Sequence, residues 1–182
     1  SMPSSLIVID NFAFQNCIRL AEVELNEGLF EIGVSAFEGC EQLDDVVLPE
    51  TVQYIYSSAF ENCKMLSAIK LPQLINSVSE SCFKRCISLQ SVEFPENLTS
   101  IGGSAFYGCT DLLQVNLPET LTTLGGYVFC GCESLESFKV PSFVQSLPGG
   151  CFSRCTSLKE VHLPDNLKTI GSYCFSSNPL LS

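Results

Sequence analysis

Phenylalanine returns every 23 residues along this chain. Phe14, Phe37, Phe60, Phe83, Phe106, Phe129, Phe152 and Phe175 keep that interval with no insertion or deletion. A cysteine stands three residues after the first seven, from Cys17 to Cys155, and Asn178 takes that place in the eighth. A fixed period of this length means one supersecondary unit copied and stacked. One such unit cannot bury its own apolar face, but stacked units place like residues over like and build a continuous core.

The other apolar sites keep the same phase. Three residues after each Cys comes a Leu, from Leu20 to Leu181. Then come Val23, Val46, Ile69, Val92, Val115, Phe138 or Val161, and two residues later Leu25, Leu48, Leu71, Phe94, Leu117, Val140 or Leu163. Val-x-Leu alternates with period two, which predicts a short strand with one face inward. Pro follows in six units (Pro49, Pro72, Pro95, Pro118, Pro141, Pro164), while Asn26 holds the first. Pro lacks the N–H a strand ladder needs, so it ends the strand. Two more apolar sites follow, such as Leu98 with Ile101. Ser-Ala-Phe-x-Gly/Asn-Cys then predicts one helical turn capped by Ser35, Ser58 or Ser104. Asn16, Gly39, Asn62, Gly108 and Gly131 are expected to close it in a left-handed conformation.

Gly33-Val34-Ser35-Ala36-Phe37-Glu38-Gly39-Cys40 and Ile101 to Cys109 resemble the BspA-like, or Treponema-type, leucine-rich repeats. The resemblance runs from about Leu6 to Leu181. It implies a leucine-rich-repeat solenoid of about eight stacked 23-residue coils. One face would carry a parallel sheet and the other short helical or irregular turns. The family includes surface proteins of bacteria and protist parasites, often linked to adhesion, and brings no catalytic residues. Tyr56, Ser79 and Pro148 depart from the family's Gly. Residues 1–5 read as a tag remnant and lead-in, Ser1-Met2 looking like a cloning scar. Residues 6–182 read as a single array cut from a longer chain.

Composition narrows the function classes. Net charge is -11, and nine Lys and Arg are scattered along 182 residues. Nucleic acid needs a clustered positive surface, so it is set aside. No wholly apolar run exceeds four residues, as in Leu6 to Ile9. A spanning helix needs about 20, so membrane insertion is not expected. Eleven cysteines would suggest a disulfide framework in a small secreted chain. Here seven keep the repeat register, and Cys82, Cys151 and Cys174 take the Ala place before Phe. They are expected to be buried thiols acting as small hydrophobes. Cys82-x-x-x-Cys86, Cys130-x-Cys132 and Cys151-x-x-x-Cys155 could suggest a metal, but the paired short spacings and second ligand set of a metal site are missing, so none is expected. Cys130 lies off both registers and is expected to be an exposed, modifiable thiol.

No nucleophile elbow or phosphate loop is present. His162, the only histidine, should point outward between Val161 and Leu163. No enzyme and no cofactor is therefore expected. Asn97-Leu98-Thr99 is an N-glycosylation sequon in a predicted loop, which makes Asn97 a candidate acceptor.

The outward strand positions vary while the core sites stay nearly constant. They are Glu22 and Glu24, Asp45 and Val47, Ala68 and Lys70, Ser91 and Glu93, Gln114 and Asn116, Ser137 and Lys139, Glu160 and His162. A solenoid presents such a strip as its binding face. The strip is acidic towards the N-terminus and holds no aromatic cluster of the kind that anchors tight interfaces. The expected function is a protein-interaction or adhesion module on a surface or secreted protein, with a protein or glycan as ligand. The alternatives are a cytoplasmic scaffold, for which reduced thiols would suit, and a structural segment of a longer array. Uncapped ends also imply end-to-end self-association.

Overall fold

Every coil contributes a short strand to one column and four coils contribute a second to another, and both columns run parallel at a register of 23. The computed structural model describes residues 2–182; Ser1, half of the expected cloning scar, lies outside them. The Val-x-Leu segment forms the first column: Ala68–Lys70 pairs with Ser91–Glu93, and Ser137–Lys139 with Glu160–His162. Glu22 and Asp45 add an isolated bridge to it. The second column runs from Val8–Ile9 through Glu31–Ile32, Tyr54–Ile55, Ser77–Val78, Ser100–Ile101, Thr123–Leu124 and Ser146–Leu147 to Thr169–Ile170. It is hydrogen-bonded in three sections. The eight strands of this column mark seven complete turns of the solenoid.

Only one sheet was expected, so the second column is an addition. Its strands are two residues long, too short for period two to show in the sequence. Pro corners connect the columns. The N–H of Leu98 closes onto the Pro95 carbonyl at 3.2 Å, and that of Leu121 onto Pro118 at 3.1 Å. Such tight four-residue turns reverse the chain without leaving these polar groups unpaired.

The expected helical turn does not form. No helix exists among the described residues; Ser-Ala-Phe-x-x-Cys is a pair of linked turns with two left-handed residues four apart. In the second coil these are Ser35 (φ 52°) and Gly39 (φ 71°), and every coil repeats the pair. Ser35, Ser58 and Ser104 are therefore left-handed turn residues rather than helix caps. The closing residues Asn16, Gly39, Asn62, Gly108 and Gly131 do have positive φ, as expected. The reason is hydrogen-bond direction. The N–H groups of Ser35, Phe37 and Gly39 donate to Ser57, Ala59 and Glu61 of the next coil at 2.8–3.0 Å. Those of Ala36, Glu38 and Cys40 donate within their own turn. A helix would spend all of them internally and leave the stack unzipped on this side.

The core is the stack itself. The eight phenylalanines form seven successive stacked pairs, with centroids 5.2–5.7 Å apart and ring planes within 15°. Offset stacking at this spacing adds to simple burial. Phe106 is fully buried, lies between Phe83 and Phe129, and meets Phe94 edge-on at 5.8 Å. Phe106→Ala is expected to cost about 3–5 kcal/mol, read from urea denaturation. Phe175 lies in the last coil and is only partly buried, so Phe175→Ala should cost less than half as much.

Candidate functional site

All fourteen strip residues from Glu22 to His162 are solvent-exposed. Their partners on the sheet are set by the flanking core residues. Ile69 and Phe138 point inward and are buried, so Ala68, Lys70, Ser137 and Lys139 must point out. Parallel register lays Ala68 beside Ser91, Lys70 beside Glu93, Ser137 beside Glu160, and Lys139 beside His162. Rungs of a sheet are about 4.8 Å apart, so one extended ligand can touch several coils at once. Val47 stands 75% exposed at the acidic end.

The strip is not flat. A hollow of 410 Å³ near its N-terminal end is lined by Asp45, Val47, Ala68, Lys70, Ser91 and Glu93, with Glu50 at its side. A second, of 660 Å³, involves Lys139 and His162 together with Glu119 and Phe143. Glu50 and Glu119 both follow the strand-ending Pro. The Glu119 carboxylate accepts from Lys139 Nζ at 2.8 Å, from the Ser142 N–H at 3.0 Å and from Ser142 Oγ at 2.8 Å. Those contacts, the lysine first, hold its pKa down to about 2. Glu50 repeats the arrangement, accepting from the Gln73 N–H at 3.0 Å with Lys70 at 3.3 Å. Its carboxyl is likewise lowered, chiefly by the Gln73 N–H. Each carboxylate thus ties one coil to the next and holds a strip lysine in place.

Sequence reasoning missed Glu50, Glu119 and Phe143. The available signal was the acid after Pro, which also appears as Glu96 and Asp165. His162 points outward as expected, 3.4 Å from Glu160. Asn97 is exposed on its turn. The strip itself lacks aromatics, but the second sheet carries them at its N-terminal end. Phe30 meets Tyr54 edge-on at 5.3 Å, and Tyr54 stacks with Tyr56 at 6.3 Å.

The cysteines are all free, and ten of the eleven are buried. In six coils the thiol donates to the phenylalanine carbonyl 26 residues earlier, at 3.1–3.3 Å, as Cys109 Sγ does to Phe83. Asn178 Nδ2 makes the same contact to Phe152 at 2.8 Å. The phased site therefore needs a small donor as well as a small hydrophobe. Burial pushes these thiols up, Cys40 to about 11 and Cys155 to about 12. Cys130 corrects the expectation placed on it: it is 5% exposed, under the turns among Tyr107, Tyr127 and Ser153. It misses both registers, yet it lies among Tyr107 and Ser153, the residues 23 places before and after it, and is almost wholly covered. Cys17, in the first coil, is the exposed one.

Among the described residues no group of three or more His, Cys, Asp or Glu is placed to hold a metal ion. Nor, among the described residues, is any helix long and apolar enough to cross a membrane.

A family model for the BspA type leucine rich repeat region, with six copies, matches residues 1–97 and 76–182. The fold is similar to that of a leucine-rich repeat protein from Bacteroides ovatus, with 28% identity, a TM-score of 0.74, and coverage of 100% of this chain and 58% of that one. It is also similar to a leucine rich cell surface protein from Faecalibacterium prausnitzii, with 27% identity and a TM-score of 0.77 over 99% of this chain and 58% of that one. A leucine rich repeat protein of T. pallidum matches at 28% identity and a TM-score of 0.69, over 100% of this chain and 76% of that one. The chain thus spans 58% of the length of the first two relatives. No curated protein matches it in sequence.

Two outcomes follow from the site. Native iodoacetamide labelling should modify Cys17 first, and the other ten thiols only after unfolding; fast labelling of Cys130 would contradict its burial. Glu119 should titrate near pH 2 by carbonyl NMR, and Lys139→Met should move it up towards the ordinary value of 4.5. The sign is that of a depressed carboxylate. Its tie is complete above about pH 4.5 and is lost as pH falls towards 2.

Proposed function

The chain belongs to the BspA-type leucine-rich repeat family, and from that premise we propose that it is an adhesion-type interaction module. It takes its partner, a protein or glycan on another surface, along the sheet strip from Glu22 to His162. The observation that carries this reading is the contrast between inside and outside. The stacked core repeats with little change, while fourteen outward positions on the same strands are exposed and chemically varied. Solenoids of this kind are structural and interaction modules, and the strip offers two hollows rather than a catalytic constellation. A place on the cell surface or in a secreted protein is supported by the relative described as a cell surface protein. The thiol load is compatible with it. Oxidation follows thiolate character and exposure, and ten of the eleven cysteines are buried away from solvent.

Binding to immobilised extracellular proteins and glycans tests this. Reversal of Glu22, Glu24 and Asp45 to Lys should weaken capture at least about tenfold, roughly 1.4 kcal/mol. Lys139→Glu with His162→Glu should separately change the salt dependence. Full capture by both variants would rule out the strip.

A further inference from the structure

The turn edge of the solenoid is built from small or polar residues in most coils. Two places before the buried Phe stand Ser35, Ser58, Ser81, Ser104 and Gly150, with Phe12 in the first coil. Tyr127 and Tyr173 break that rule. Both hold left-handed backbone, φ 56° and 59°, which is costly for a bulky side chain. Neither is tucked into the core: they are 49% and 73% exposed. Gly150 lies between them in the stack, and a Cβ there would collide with the Tyr127 ring. The Tyr127 ring thus lies over Gly150, where any side chain would displace it.

The result is a basin of 290 Å³ rimmed by Tyr107, Tyr127 and Tyr173. Cys130 and Ser153, both buried, lie at its base. Ser153 Oγ and Ser176 Oγ are 2.8 Å apart, so a hydroxyl pair is available there. Arg154 also lines it, and no carboxylate does. In a chain of net charge -11 this is a local positive site without a built-in counterion.

We propose that this basin binds one pyranose ring bearing a carboxylate, such as a uronic or neuraminic acid unit of a glycan. The volume suits a single ring, at the low end of small-molecule sites. The tyrosine faces offer stacking surface for the C–H side of the sugar, and their hydroxyls reach its polar edge. The serine pair exchanges hydrogen bonds with ring hydroxyls. Arg154 takes the carboxylate through its planar fork. An aromatic cage also suits a quaternary ammonium, but Arg154 repels a cation. The basin shares no residue with the strip hollows, so it stands independently of the reading above.

Saturation-transfer NMR on the whole chain tests it, with glucuronic acid, N-acetylneuraminic acid, glucose and choline as probes. At least one of the two acids should receive saturation, roughly fivefold more than glucose or choline. Arg154→Gln, an exposed change, should lower that signal about fivefold. Tyr127→Ser with Tyr173→Ser restores the residue usual at those places, so the fold should persist, and it should abolish the signal. The strip variant carrying Lys at 22, 24 and 45 should bind the acid unchanged. No transfer to either acid, equal transfer after Arg154→Gln or in the tyrosine variant, or preference for choline would overturn the proposal.

Discussion

The structure depends on phenylalanine rings stacked one coil apart. Each ring in the seven-pair column is both core and spacer. Its van der Waals surface is satisfied only if the next coil brings an identical ring to the same height. Any insertion within a coil would slide one ring off its neighbour and break the ladder hydrogen bonds beside it. This is why the period is 23 throughout, and why two sheets of very short strands persist. A two-residue strand is marginal alone, but here it is clamped from the core side by Ile32, Ile55 or Leu124.

The polar bookkeeping of the stack is done by the backbone and by cysteine. Left-handed residues turn alternate N–H groups towards the next coil, so the helix-like segment joins the inter-coil network. From Cys40 to Cys155, each phased thiol then gives a second donor to a phenylalanine carbonyl that already accepts the Cys N–H of its own coil. Asn178 makes that same contact in the last coil, with its Oδ1 left unpartnered. A side chain with a donor fits the place; what distinguishes cysteine is that it leaves no buried acceptor behind.

Because so few positions carry the fold, the exterior is free to vary. The outward positions on the strands tolerate Glu, Val, Ala, Lys, Ser, Gln or His without touching the core. The same freedom applies along the turn edge, where Tyr127 and Tyr173 replace serine at some backbone cost. Much of this was legible beforehand. The inward and outward assignment of all fourteen strip residues follows from period two, and the burial of Cys40 to Cys155 follows from their phase. Glu50 and Glu119 were not legible. Their role depends on a backbone N–H 23 residues on, Gln73 and Ser142, and nothing local marks it. Cys130 was misread for a related reason. Its burial comes from the neighbouring coils that bring Tyr107 and Ser153 beside it, rather than from its own register.

Sequence alone determined the unit, its length, the parallel stacking of coils, and which side of the Val-x-Leu strand meets water. Those follow from a periodicity that only one packing can satisfy. Tertiary structure decided what lies between coils: the second sheet, the left-handed turns in place of a helix, the thiol-to-carbonyl bonds, the carboxylate ties and the tyrosine-rimmed basin. Each of these joins residues about 20 or more apart, through distances and directions that exist only once one coil rests on another. A repeat announces its period along the chain, but contacts made across the repeat are properties of the stack.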